Sequence, residues 1–147
     1  RLPVPDDFFY AVAHPDIVVG TKEAREVLPR EIPMAHAVTQ WGNVGGLVAG
    51  LALGDVALIG RSMHDVVAEP YRKGFIPGYD RLKEGVLSEG ALAMNIAGSG
   101  PSVLALAAEG SVSERVAERM KSHFAGLGIG CNIYAGRVSN RGARIEE

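Results

Sequence analysis

Three stretches of this sequence combine residue types and spacings that could hold an anion. Ala97-Gly98-Ser99-Gly100-Pro101-Ser102 sets two glycines around a serine. Glycine lets a backbone approach a ligand and turn successive N–H groups the same way, which makes an anion-binding nest. The same residues also make a plain tight turn between strands. The loop is not a Walker A cradle, because no Gly-Lys-Ser/Thr follows, and Pro101-Ser102-Val103 stands where GxGxxG needs its third glycine. Thr21 and Arg25 lie four residues apart and would share one face of a helix. There Thr21 is expected at the N-cap, and the Arg25 guanidinium could grip a carboxylate or phosphate through paired hydrogen bonds. The plainer alternative has Thr21 merely capping and Arg25 pairing with a surface acid. Arg72 ends Glu69-Pro70-Tyr71-Arg72, where a proline bend and an aromatic neighbour make a stiff platform for an arginine, or carry an ordinary surface one. His36, Gln40 and Asn43 form a polar stripe at i, i+4 and i+7 that faces a ligand or solvent. His14, His64 and His123 show no metal-ligand spacing with Cys131 or one another, and no Ser-His-Asp order or nucleophile elbow stands out. No metal site and no catalytic side chain are assigned.

These residues need elements to position them. Phe8 to Ala13 reads as a strand, followed by the His14-Pro15-Asp16 turn. A short apolar run, Ile17 to Val19, leads to a helix from Thr21 to about Leu28. The spacing predicts a long helix from Met34 to Leu53, with Met34, Val38, Trp41, Val44, Val48 and Leu51 on one face. Gly42, Gly45, Gly46 and Gly50 weaken it, so packing against a neighbour must compensate. Gly54-Asp55 ends this helix and caps the next, striped by Val56, Ile59, Met63 and Val66. Tyr79 to Glu89 is a further helix, closed by Gly90. Ala91–Ala97 and Ser102–Ala108 read as strands on either side of the glycine loop. Ser111 with Glu114 reads as a capping box that opens a helix ending at Gly126. Ile129 to Val138 is the last strand, and the charged tail from Arg141 to Glu147 is expected to fray. Strands and helices do not alternate strictly. The expectation is therefore α+β, one domain over residues 1–147, an antiparallel or mixed sheet with helices on one face.

Composition narrows the classes. The 147 residues carry 15 Lys+Arg against 17 Asp+Glu, net −2, which argues against a nucleic-acid binder built on phosphate contacts. A single cysteine excludes an internal disulfide framework and fits the cytoplasm. The Val44–Gly54 run is too short to span a bilayer, and no signal or transit peptide is read at the start. The chain opens on Arg1-Leu2-Pro3 without an initiator methionine, which reads as a segment processed or excised from something longer.

Taken in order, Val19-Gly20-Thr21-Lys22-Glu23-Ala24-Arg25, Ala35-His36, Asp65-Val66-Val67-Ala68-Glu69-Pro70-Tyr71-Arg72, Pro77-Gly78 and Gly98-Ser99-Gly100-Pro101-Ser102 form a pattern. It resembles the C-terminal half of the homoserine kinases, a branch of the GHMP small-molecule kinase family, from about Pro5 to Glu146. The glycine loop marks the wider family, and the two arginine segments mark the branch. The resemblance implies a ferredoxin-like α+β layer and ATP-dependent phosphorylation of the L-homoserine hydroxyl, a step toward threonine. It implies that Thr21, Arg25, His36 and Arg72 bind the amino acid. Gly98, Ser99, Gly100 and Ser102 would lie beside the ATP phosphates. The family's ATP-phosphate loop does not occur in these residues. The resemblance therefore implies an N-terminal half that binds most of the ATP and Mg²⁺, a chain inactive alone, and a possible homodimer. The alternatives are a stand-alone amino-acid-sensing module and a GHMP kinase with another acceptor, such as mevalonate or a sugar.

Overall fold

The computed structural model describes residues 4–140 and 145. Four strands form one antiparallel sheet in the order β2-β3-β1-β4: β1 (Phe9–Pro15), β2 (Ala93–Ile96), β3 (Val103–Ala107) and β4 (Cys131–Arg137). Between β1 and β2 run α1 (Glu23–Glu26), α2 (Met34–Leu53), α3 (Val56–Ser62), α4 (Glu69–Arg72) and α5 (Tyr79–Ser88), and α6 (Gly110–Gly126) joins β3 to β4. This is the β-α-β-β-α-β order of ferredoxin-like layers, and the expected α+β class is what the structure shows.

Alternation along the strands builds two cores. Ala11, Ala13, Val103, Ala105 and Ala107 face α5 and α6, where Leu82, Val86, Val116, Met120 and Phe124 are sealed from solvent. Small alanines on the sheet leave room for the large helix side chains. The opposite side chains, Tyr10, Leu104 and Leu106, join Phe8 and Ile59 in a smaller cluster with Leu47 and Leu51. The α2–α3 pair thus adds cover on the second face of the sheet, beyond the single helical face expected.

Several local signals form as read. Asp55 accepts a hydrogen bond from the Leu58 N–H at 2.9 Å, capping α3. Gly54 and Gly90 take positive φ (70° and 99°) at the ends of α2 and α5, which a side chain would strain. The glycines of α2 divide. A Cβ at Gly50 would lie 2.9 Å from Ile59 Cγ1 and 3.0 Å from its backbone nitrogen, and one at Gly46 would strike Ser62. These two let α3 pack closely, whereas Cβ atoms at Gly42 or Gly45 would meet nothing within 4 Å.

Other expectations change. The helix expected from Thr21 shrinks to the single turn of α1, with Lys22 at the N-cap and no side-chain cap bond. Pro29 and Pro33 leave no length for propagation, so the N-terminus offers little dipole. Ile17–Val19 forms no strand, and Val18 is fully in solvent. The capping box at Ser111 does not form, because α6 begins at Gly110 with Glu109 at its N-cap, placing Ser111 inside the first turn. The tail from Arg141 lies, apart from Ile145, outside the described residues.

Candidate functional site

The site is assembled from the segment between α3 and α4. Asp65 accepts from three consecutive backbone donors, Val67 and Ala68 at 2.8 Å and Glu69 at 3.1 Å. One carboxylate thereby satisfies the orphan N–H groups that open α4. The polar stripe of α2 holds the same segment. Asn43 Nδ2 donates to the His64 carbonyl at 2.6 Å, and Gln40 Oε1 accepts from the Val66 N–H at 3.1 Å. Gln40 and Asn43 are therefore tied to backbone of the 64–66 segment.

Within α4, Glu69 pairs with Lys83 of α5 at 2.6 Å, both side chains largely buried. The Tyr79 hydroxyl lies beside Glu69 without meeting hydrogen-bond geometry, and both it and Glu69 Oε2 are enclosed with no hydrogen-bond partner among the described residues. Burial, with the Glu69 carboxylate adding to it, pushes the Tyr79 phenol well above its ordinary value. The Glu69–Lys83 pair ties α4 to α5.

Arg72 reaches across two otherwise separate segments. Its Nε donates to the Ala24 carbonyl of α1 at 3.0 Å, and its Nη1 to the Gly98 carbonyl of the glycine loop at 3.3 Å. Ala24 is fully buried, so α1 is held by one methyl group and one guanidinium. Arg25, the next residue, is exposed, and among the described residues its guanidinium meets no partner; Thr21 is exposed as well. The structure thus brings Arg72, the Thr21–Arg25 segment and the glycine loop together, whereas the capping role read for Thr21 is not formed.

The glycine loop is the hairpin turn between β2 and β3, closed by Ala97 N–H donating to the Ser102 carbonyl at 2.8 Å. Gly98 and Gly100 have φ of +64° and +86°, and a Cβ at Gly98 would meet nothing within 4 Å. That flank of the turn is open to a ligand. Ser102 Oγ lies 2.7 Å from His14 Nδ1, a contact across 88 residues with no local signature. His36 lines a cleft of about 310 Å³ with His64, Asp65, Glu69, Pro70 and Lys73. A second cleft of about 340 Å³, between α5 and α6, shares no lining residue with this site. Among the described residues no group of three His, Cys, Asp or Glu side chains is placed to hold a metal ion, and no helix is long and apolar enough to cross a membrane.

Comparison with known proteins agrees with this architecture. The family described as GHMP kinases C terminal matches residues 47–126. The chain is 42% identical over 146 residues to the homoserine kinase of Chlorobium phaeobacteroides (strain BS1), covering 98% of this chain and 46% of that protein. It is 43% identical over 143 residues to that of Chlorobaculum tepidum, covering 96% and 44%. The crystal structure of homoserine kinase from Cytophaga hutchinsonii superposes with a TM-score of 0.89 at 46% identity, over 92% of this chain and 43% of that one. Streptococcus pneumoniae phosphomevalonate kinase shares the fold at 19% identity with a TM-score of 0.68. The chain spans about half the length of the curated relatives it matches. With its sheet order, its glycine hairpin and these matches, the chain belongs to the GHMP kinase family, whose C-terminal domain it carries.

Proposed function

We propose that this chain is the amino-acid-binding half of a homoserine kinase, an enzyme that transfers the ATP γ-phosphoryl group to the L-homoserine hydroxyl on the way to threonine in the cytoplasm. The observation that carries this reading is the Arg72 fork, which ties a candidate carboxylate-binding segment to a glycine hairpin with an open flank. A guanidinium has five N–H donors, and two are spent on backbone carbonyls. The remainder, with Arg25 and the Thr21 hydroxyl, would hold the substrate carboxylate, while His36 contributes from the adjoining cleft. Gly98, Ser99, Gly100 and Ser102 would border the ATP phosphates. Phosphoryl transfer depends mostly on positioning and charge neutralisation. This half supplies position for the acceptor, and no side-chain base is assigned. The reading assigns no magnesium ligand to this chain. The phosphate cradle and the metal contacts belong to an N-terminal half, and the 147 residues alone are expected to be inactive.

The test is ADP release by the native polypeptide with Mg-ATP, with L-homoserine, mevalonate or a sugar as acceptor. Turnover that requires homoserine supports the proposal. Turnover with another acceptor assigns a different GHMP substrate, and homoserine binding by a polypeptide that releases no ADP makes this domain a sensor.

A further inference from the structure

Arg81 of α5 and Arg119 of α6 line the cleft of about 340 Å³ between those helices, a size within the range of small-ligand sites. Ser122 and His123 line it with them, and no carboxylate does. Among the described residues neither guanidinium makes an ion pair or a hydrogen bond. Asp80, beside Arg81 in sequence, is taken by Lys73 at 2.8 Å. In the adjoining groove that Arg119 also lines, Glu89 is taken by Arg115 at 3.8 Å, and Glu118 Oε1 lies 3.5 Å from Ser122 Oγ. Like charges brought to one cleft repel, and an anion between them turns that repulsion into attraction.

The cleft is also built. A Cβ at Gly85, inside α5, would strike the Arg119 guanidinium, 2.7 Å from Nη2, and one at Gly78 would lie 2.9 Å from His123 Nε2. Glycine weakens a helix, so the seat of Arg119 is made at a cost to α5. His123 Nε2 donates to the Pro77 carbonyl at 3.1 Å, and its ring stands edge-on to the buried Phe124 at 5.2 Å between centroids. A ring held so is a wall of the cleft and not a free side chain.

We propose that this cleft binds a phosphoryl group, as inorganic phosphate or a small phosphate monoester, apart from the Arg72 site. A phosphate spreads its acceptor oxygens over a tetrahedron, which suits two guanidinium forks and a serine hydroxyl arriving from two helices. A flat carboxylate is served by one fork. The cleft shares no residue with the kinase reading above and does not depend on it.

The experiment follows the His123 ring resonances of the native polypeptide by NMR, identified by their loss in His123→Gln. The titrants are inorganic phosphate and glycerol 3-phosphate at constant ionic strength. The ring should shift along a saturable curve with one or both, and the tighter of the two names the source. Arg81→Gln, an exposed position, should weaken binding about tenfold or more, as loss of a charge-assisted hydrogen bond implies. Arg119→Lys, which keeps the charge without the fork, should weaken it less. Shifts no larger than those given by chloride overturn the proposal, as does saturation by succinate alone or full affinity in Arg81→Gln. Equal weakening by Arg25→Gln overturns it too, because the phosphate would then sit at the Arg72 site.

Discussion

Replacing Arg72 by alanine removes two hydrogen bonds with an ionised donor, and their geometry sets what is lost. The bond to Ala24 is part-buried at 3.0 Å, while that to Gly98 is exposed and longer at 3.3 Å. A hydrogen bond to a charged group contributes about 1.5–3 kcal/mol, and only the part-buried one reaches α1, so Arg72 holds α1 by about 2 kcal/mol. Helix α1 has little else, since one turn cannot sustain itself and Ala24 buries only a methyl group. The loss should appear as local opening. The N–H groups of Ala24 to Leu28, bonded in the α1 turn, should exchange with deuterium about 30-fold faster, as 2 kcal/mol implies. Amides of α6 and the central strands should keep their rates. Arg72→Lys should fall between, because an ammonium cannot span both carbonyls as the planar fork does. Exchange at 24–28 unchanged in Arg72→Ala would refute the bridge. A uniform acceleration across the sheet would show that Arg72 holds the whole fold and not the α1 turn.

The other expectations follow from single contacts. Arg25→Ala should raise the homoserine KM of the native enzyme with little change in kcat and none in its unfolding midpoint, because carboxylate binding is shared by ground and transition states; an unchanged KM removes Arg25 from the site. Gly50→Ala should destabilise the chain by about 1–3 kcal/mol through overpacking against Ile59, whereas Gly42→Ala, in open space, should stabilise the 147-residue chain by about 0.5–1 kcal/mol. Denaturant titrations check the pair, and equal effects would deny the close α2–α3 approach. The raised Tyr79 pKa means that the folded chain holds the phenolic proton more tightly than the unfolded one. Its contribution is complete below the ordinary phenol value of about 10 and declines as pH rises above it. The unfolding midpoint of Tyr79→Phe should therefore fall less steeply than wild type above that pH, and parallel curves would contradict the buried Glu69–Tyr79 contact.

Where the deciding interactions are local, the sequence alone determined the outcome. Met34 and Leu53 bound α2 as the spacing predicts, Asp55 caps α3, and Gly54 and Gly90 end helices by taking positive φ, because each depends on residues within one turn. The glycine hairpin and the succession of elements along the chain were legible for the same reason, whereas the sheet order β2-β3-β1-β4 was not. The site residues could be named from type and spacing, but not joined. The Arg72 fork spans 48 residues to Ala24 and 26 to Gly98, and His14 meets Ser102 across 88, distances at which no periodicity operates. Tertiary structure also decided which face of α2 is inward. Spacing puts Met34, Val38, Trp41, Val44, Val48 and Leu51 on one face, yet of these only Leu51 packs in a core, and the inward side is the one where Gly46 and Gly50 admit α3 and where Gln40 and Asn43 bind the 64–66 backbone. Close approach and backbone hydrogen bonds outweighed the burial of Met34, Val38 and Trp41, because a stripe shows that a helix has a partner and only the assembled fold shows where that partner lies.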